Sequence, residues 1–80
     1  MRFENQVAVV TGGAGGVGQT LVRLLAREGA RIMISDLNEE GCRQMVAEAR
    51  ELGAEADYLA GNLRDKAYCE RVIEQTVERF

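Results

Sequence analysis

The chain has 80 residues, of which 46% are hydrophobic and 29% are charged, and it contains no proline. A chain of this length holds one small domain, and its composition is that of an ordered globular protein rather than a disordered segment. The net charge is −3 and the basic residues are scattered, so no cationic stripe is available to neutralise a nucleic-acid backbone, and nucleic acid is not an expected partner.

The sequence also argues against a membrane protein and against a metal site. No apolar run approaches the length of a membrane span, and residues 1–5 lack the basic-then-apolar layout of a signal peptide, which predicts a cytoplasmic protein. Histidine is absent, and the two cysteines, Cys42 and Cys69, form no metal-ligand pattern. Each cysteine is instead predicted to be a small buried side chain on the apolar face of a helix.

The first predicted element is a strand over Val7–Val10, a short apolar run rich in β-branched residues that ends in a cluster of glycines. A helix is predicted to follow, because four apolar residues recur at helical spacing. They are Val17, Leu21, Leu24 and Leu25. Gly29 comes where the end of this helix would need a residue in the left-handed conformation.

A second strand is predicted at Ile32–Ile34, closed by Ser35 and Asp36, and a second helix follows it. Asn38 is placed to accept hydrogen bonds from the first free amides of that helix, and Gly53 is placed to end it. The apolar residues of this helix also keep helical spacing. They are Cys42, Met45, Val46, Ala49 and Leu52.

The third strand is centred on Tyr58–Ala60 and carries the weakest signal, because it is short and has few strong β-forming residues. Asp65 then caps a third helix. One face of that helix is predicted to be apolar, with Cys69, Val72, Ile73, Thr76, Val77 and Phe80. The glutamates of the same helix, Glu70, Glu74 and Glu78, are predicted to face water.

Strands and helices that alternate at this spacing indicate parallel strands joined by right-handed crossovers. The predicted class is therefore α/β, with the order β-α-β-α-β-α in one open sheet. Nothing in residues 1–80 suggests a domain boundary, so they are expected to form one incomplete domain. In a doubly wound sheet the next strand would pair alongside the first, which predicts an unpaired apolar edge at Val7–Val10.

A glycine-rich turn connects the first strand to the first helix, and it fits two dinucleotide-binding patterns. One is G-x-G-x-x-G at Gly13, Gly15 and Gly18; the other is T-G-x-x-x-G-x-G at Thr11, Gly12, Gly16 and Gly18. Both patterns allow a sharp turn, close approach of the backbone to a pyrophosphate, and close packing of the helix on the sheet. The free amides at the helix start are then expected to face an anion, since the positive end of the helix dipole lies there. A tight connection without a ligand is the alternative.

Asp36 follows Gly18 by 18 residues, close to the offset at which an acid meets the adenosine ribose of a bound dinucleotide. Its carboxylate can accept hydrogen bonds from both ribose hydroxyls and would repel a 2′-phosphate. Neither Gly15 nor Leu37 offers a basic side chain for such a phosphate, so NAD is favoured over NADP. The alternatives for Asp36 are a solvated loop acid or a helix-capping residue.

With these motifs the chain resembles the short-chain dehydrogenase/reductase family over its whole length. The resemblance is carried by the T-G-x-x-x-G-x-G spacing, by Asp36 at the end of the second strand, and by Asn62-Leu63 after the third. It implies a Rossmann-type doubly wound parallel sheet, here incomplete, and it selects one register of the glycines over the other. The implied function is NAD(P)-dependent interconversion of an alcohol and a carbonyl on a small-molecule substrate, in a parent protein that is a homo-oligomer.

The resemblance also implies a set of coenzyme-binding residues, with residues 1–80 as the N-terminal part of the NAD(P)-binding domain. The set is Thr11, Gly12, Gly15, Gly16, Val17, Gly18, Asp36, Leu37, Asn62 and Leu63. Family members usually carry aspartate where this chain has Asn62, whose side-chain oxygen can still accept from the adenine amino group. Asparagine is also common in turns for local reasons, so Asn62 alone would indicate nothing.

The catalytic groups that the family uses are a serine, a Tyr-x-x-x-Lys pair and a supporting asparagine, and the chain does not carry this set. Ser35 is the one serine, Lys66 is the one lysine, and no tyrosine precedes that lysine by four positions. The resemblance therefore implies that an intact parent is an NAD-dependent dehydrogenase/reductase, and we expect the 80-residue chain itself to be inactive.

Two other functions remain open from the sequence. A non-catalytic NAD-binding or redox-sensing module would use the same glycine turn and would signal through a partner at the exposed strand edge. A methyltransferase fragment would hold a methyl donor with a glycine turn and an acid, although Thr11 here stands where such a strand would end in an acidic residue.

Overall fold

A computed structural model describes residues 3–80. Met1 and Arg2, which belong to the stretch that argued against a signal peptide, lie outside the described residues. Three strands and three helices alternate along the chain. They are β1 (Val7–Thr11), α1 (Gly16–Arg27), β2 (Arg31–Asp36), α2 (Glu39–Glu51), β3 (Ala56–Ala60) and α3 (Lys66–Arg79). The predicted order of elements is confirmed, and β3 begins two residues before the predicted segment.

The three strands form one parallel sheet in the order β1-β2-β3, which confirms the predicted α/β class. Val7 pairs with Arg31 on one side of β2, and Ile32 pairs with Ala56 on the other. β2 is thus the central strand, and its residues 32–35 are fully buried. This position explains the continuous apolar run in β2, because a strand covered on both faces needs apolar side chains on both.

Helices cover both faces of the sheet. Successive side chains of β2 point to opposite faces, and the two cores divide accordingly. The larger core contains Ile32 and Ile34 with buried side chains of α1 and α2. The smaller core contains Met33 with Tyr68 and Val72 of α3. The helix after β3 therefore begins the second helical layer of a doubly wound sheet.

The ends of the helices follow the predicted signals. Asn38 and Asp65 are the N-caps of α2 and α3; the Asn38 side chain accepts from one backbone amide in the first turn of its helix, and the Asp65 side chain accepts from two. Gly29 and Gly53 follow α1 and α2 with φ of +87° and +94°. Both helices thus end in the left-handed conformation that glycine adopts at no steric cost.

The predicted apolar face of α1 is wrong. Val17, Leu21 and Leu24 are exposed, and Val17 is 87% exposed. The helix packs instead through Gly18, Val22 and Ala26, with Leu25 half-buried. Small residues on the inner face let the helix axis lie close to the sheet, which leaves the larger side chains on the outer flank.

The predicted apolar face of α3 is partly wrong. Ile73 and Val77 are 63% and 75% exposed. The buried face of the helix consists instead of Tyr68, Val72 and Thr76. Phe80 is half-buried, and the predicted outward glutamates are exposed. The helix packs on Met33 of β2, while Val9, the register partner of Met33 on β1, is 44% exposed, so α3 does not fully cover β1.

The two cysteines differ in environment. Cys42 is fully buried in the larger core, as predicted. Burial raises the pKa of its thiol, and the negative charges of Asp36 and Glu39 raise it further, which favours the neutral thiol. The prediction of a buried apolar side chain is wrong for Cys69, which is half-buried and whose Sγ donates to the Leu63 carbonyl at 3.1 Å.

Two of the exposed apolar surfaces on the described part of the chain lie at β1 and at α1. β1 pairs with β2 only, and Val7 and Val9 stand exposed beside its unpaired edge, so the predicted apolar edge is confirmed. The second surface is the outer flank of α1, with Val17, Leu21 and Leu24. Within residues 3–80 no helix is both long enough and apolar enough to cross a membrane. Exposed apolar surface next to a free strand edge favours association.

We expect the isolated 80-residue chain to self-associate as its concentration rises, because the free backbone groups of β1 can pair with another strand. Sedimentation velocity over a series of concentrations would measure this. Val9→Lys should reduce the association, since a charge beside an edge opposes pairing, whereas Leu52→Lys places the same charge at the end of α2 and should not. A monomer at every concentration, with a sharp unfolding transition, would contradict the expectation.

Candidate functional site

An open cleft of about 280 Å³ lies where the carboxyl ends of the three strands meet. Ligands of open α/β sheets bind at this edge, because the loops that follow the strands converge there. The residues that line the cleft are Gly12, Asp36, Leu37, Gly61, Asn62, Leu63 and Arg64. Five of them were predicted as site residues, so the fold brings together predicted positions from the ends of all three strands.

The other predicted residues lie beside the cleft without lining it. Gly16 and Val17 border a second, more open groove of about 390 Å³ along the outer flank of α1. Thr11 is the last residue of β1, Gly15 is the N-cap of α1, and Gly18 is buried beneath the turn. The predicted set is therefore divided between the strand ends and the start of α1, and the glycine turn joins the two groups.

The glycines of the turn are required to different degrees. Gly12 has φ of +67°, a conformation that a side chain disfavours. A Cβ atom at Gly18 would overlap the Gly12 carbonyl, so the helix start can approach the turn only without a side chain there. A Cβ at Gly15 would make ordinary contacts, and one at Gly16 would meet nothing within 4 Å. Nothing within residues 3–80 therefore requires glycine at Gly16, whose free space is open to a ligand.

The backbone amides of the turn fall into two groups. Gly12 and Gly13 donate to the Ser35 carbonyl at 2.8 and 3.4 Å, and the next two amides also have acceptors within the chain. The following three amides have no acceptor among residues 3–80. They belong to Gly16, Val17 and Gly18. These N–H groups lie at the positive end of the α1 dipole, so the arrangement is suited to an anion.

Asp36 joins the end of β2 to the glycine turn. Its Oδ2 accepts from the Ala14 amide and its Oδ1 from the Asn38 amide, both at 3.0 Å. The alternative that Asp36 caps α2 is wrong, because Asn38 is the N-cap and bonds the Gly41 amide. A carboxylate oxygen accepts more than one hydrogen bond, so each oxygen of Asp36 keeps capacity for a further donor from the cleft.

The loop after β3 supplies the opposite wall of the cleft. The Asn62 side-chain oxygen accepts from the Arg64 amide at 2.9 Å, so Asn62 makes the local turn that was weighed as its alternative role. Leu63 is exposed on this wall, and Leu37 is exposed after β2. Gly61 and Arg64 also line the cleft although no motif marks them; their position directly after β3 was the available signal.

A buried pair of hydroxyl groups supports the site from below. The Tyr68 hydroxyl donates to the Leu59 carbonyl at 2.6 Å, so the Ser35 hydroxyl, 2.5 Å away, is the donor in the bond between them. The Tyr68 ring packs over Gly61, where a Cβ would overlap it. Tyr68 thus ties α3 to the ends of β2 and β3. Helical spacing placed it outside the predicted apolar face, and no sequence pattern pairs it with Ser35.

The sequence is similar to those of known dehydrogenases. The model of the short chain dehydrogenase family matches residues 6–80. The chain is 39% identical over 79 residues to the 2,5-dichloro-2,5-cyclohexadiene-1,4-diol dehydrogenase of Sphingobium indicum, covering 99% of this chain and 32% of that protein. It is 52% identical over 58 residues to the cyclopentanol dehydrogenase of Comamonas testosteroni, covering 72% of this chain and 23% of that protein. The chain spans about a third or less of the length of these curated relatives.

Solved structures share the fold closely. A short-chain dehydrogenase/reductase from Burkholderia phymatum, crystallised in complex with NAD, matches all of this chain and 28% of its own, with a TM-score of 0.93 and 25% identity. An NAD⁺-bound xylitol dehydrogenase matches 98% of this chain and 30% of its own, with a TM-score of 0.93 and 28% identity. The three strands and three helices are therefore arranged as in the corresponding parts of these enzymes.

We expect Gly18→Ala to lower the free energy of unfolding by about 1–3 kcal/mol, because the new methyl group must displace the Gly12 carbonyl. Gly16→Ala is the matched control: the same methyl group enters open space at the start of the same helix, and stability should change by less than about 0.5 kcal/mol. Urea unfolding followed by circular dichroism measures both. Equal effects of the two substitutions would contradict the packing constraint.

Proposed function

Since this chain belongs to the short-chain dehydrogenase family, we propose that it binds NAD and is the coenzyme-binding part of an oxidoreductase that interconverts alcohols and carbonyls. The family predicted from the motifs is confirmed by the match over residues 6–80. The observation that carries the proposal is that two groups meet at one edge of the sheet. One is the set of three amides at the start of α1 that have no acceptor among residues 3–80, and the other is the Asp36 carboxylate at the end of β2.

In this proposal the two ends of the site receive different parts of the coenzyme. The pyrophosphate would accept hydrogen bonds from the amides of Gly16, Val17 and Gly18, and the open space above Gly16 would allow its close approach. The adenosine ribose would donate to the remaining lone pairs of Asp36. The adenine would lie in the cleft between Leu37 and Leu63, whose exposed apolar side chains suit a flat aromatic ring.

The charge of the cleft supports NAD over NADP. Asp36 places a negative charge beside the proposed ribose position, and a 2′-phosphate there would be repelled. Gly15 and Leu37 are uncharged, as the sequence indicated. Arg64 is the one basic residue among those that line the cleft, and it lies in the loop after β3. The preference for NAD therefore depends on Asp36.

The coenzyme, when bound, would carry the hydride, and the residues of this chain would bind and orient it. The two tyrosines and the serine do not offer a proton-transfer group: the hydroxyls of Tyr68 and Ser35 bond each other in the core, and Tyr58 accepts from Arg43. We therefore propose that the residues acting on a small alcohol or carbonyl substrate lie outside this segment, in a parent protein that is cytoplasmic and homo-oligomeric. The solved NAD-bound structures of similar fold support the coenzyme assignment.

We expect Asp36→Ala to weaken NADH binding by about tenfold or more, because two hydrogen bonds from the ribose to a charged acceptor are lost. The ratio of NADPH to NADH affinity should rise, since the repulsion of the 2′-phosphate is removed. Titration of the coenzyme fluorescence with the chain measures both dissociation constants. Glu40→Gln is the control, because it removes an equal charge from the exposed first turn of α2 outside the cleft. An unchanged ratio of NADPH to NADH affinity in Asp36→Ala would show that the ribose assignment is wrong.

The 80-residue chain should bind NADH yet show no turnover with a panel of small alcohols and NAD, because no group in it is placed to pass the proton. Formation of NADH absorbance at 340 nm is the assay. Turnover by a preparation whose mass confirms the 80-residue chain would overturn the predicted inactivity.

A further inference from the structure

We infer that Asp36 has a second role: its carboxylate holds the glycine turn in the shape that receives phosphate, so affinity for the pyrophosphate depends on an acid that does not touch it. This inference rests on the proposed function, because it concerns the same coenzyme site. The bracing role is separate from the ribose contact. It should therefore affect the binding of a dinucleotide whose adenosine ribose has no hydroxyl groups for Asp36 to bind.

The contact that carries the inference spans 22 residues of sequence. The Ala14 amide, in the middle of the turn, donates to Asp36 Oδ2 at 3.0 Å. The two amides before it donate to the carbonyl of Ser35, the neighbour of Asp36. Three consecutive amides of the turn therefore donate hydrogen bonds to two consecutive residues at the end of β2. The Asp36 carboxylate accepts from the last of the three amides, and it is the charged acceptor of the two.

The turn has few other attachments at this point. The Ala14 carbonyl accepts from Gln19 Nε2 at 2.7 Å, a bond within the same loop and helix. Loss of the Asp36 carboxylate would leave the Ala14 amide without an acceptor among the described residues. Hydrogen bonds to charged groups are also stronger than neutral ones. The acceptor-free amides begin two residues later, at Gly16, so their direction depends on how the turn is held.

The second oxygen of Asp36 keeps the carboxylate in place for this role. Oδ1 accepts from the Asn38 amide at 3.0 Å, so a backbone amide donates to each of the two carboxylate oxygens. Each oxygen then carries one backbone bond and retains a free lone pair. A ribose could bind without displacing the Ala14 amide, and the bracing role and the ribose role are compatible in one complex.

A ligand that lacks the ribose hydroxyls separates the two roles. We would measure the dissociation constants of NADH and of its 2′,3′-dideoxyadenosine analogue with the wild-type chain, Asp36→Ala and Glu40→Gln. If Asp36 braces the turn, Asp36→Ala weakens the dideoxy analogue by about fivefold or more. If Asp36 serves the ribose alone, the analogue binds both proteins equally, which would overturn the inference. Loss of a negative charge by itself favours an anion, and Glu40→Gln should therefore leave the analogue unchanged or slightly tighter.

Amide hydrogen exchange without coenzyme gives a readout that does not depend on binding. The Ala14 amide should be protected in the wild type and in Glu40→Gln, and should lose that protection in Asp36→Ala and partly in Asp36→Asn, whose amide group can accept through one oxygen only. Equal protection in all four proteins would overturn the brace. Failure of the wild type to bind NADH would overturn the proposed function instead, and the exchange result would still decide whether Asp36 holds the turn.

Discussion

The start of α1 lies so close to the turn after β1 that a single methyl group at Gly18 would collide with the Gly12 carbonyl. This contact sets the distance between helix and sheet, and with it the choice of side chains on the inner face of α1, where Gly18 is followed by Val22 and Ala26. It also sets where the acceptor-free amides lie, because they belong to the same first turn of the helix. The packing of the larger core and the position of these amides therefore depend on one close approach.

β2 carries the connections that make the rest of the structure one unit. Its side chains enter both cores, its Ser35 carbonyl holds the glycine turn, and the Ser35 hydroxyl bonds Tyr68 of α3. Its last residue, Asp36, reaches the turn through a side chain. A strand with neighbours on both edges and helices on both faces has little freedom to move, so the groups attached to its end share one rigid support.

Local features of this fold could be predicted from the sequence, and features that depend on distant packing could not. The caps at Asn38 and Asp65 and the end of α1 at Gly29 are decided by residues next to each other in the chain, and the structure has them where the pattern indicated. The inner face of α1 is decided by its distance from the sheet, and helical periodicity alone favoured the larger side chains on the neighbouring flank.

The candidate site divides in the same way. The glycine spacing and Asp36 were recognisable because their separation in sequence is regular in dinucleotide-binding folds. The bond from Ala14 to Asp36 and the pair of Ser35 with Tyr68 join residues that are 22 and 33 positions apart, and no spacing rule points to either. The cleft wall formed by Gly61 and Arg64 likewise depends on the pairing of β3 with β2, and its one signal in the sequence is the position of these residues directly after β3.

The three amides without acceptors at the start of α1 have an energetic consequence for the folded state. Water satisfies them before any ligand arrives, and the turn that exposes them is formed only when β2 and α1 are in place. An anion held there binds the native chain and not the unfolded one, so its binding free energy adds to the stability of the fold. A domain of this size is only marginally stable alone. The fraction of folded chain would then depend on the concentration of the ligand as well as on temperature.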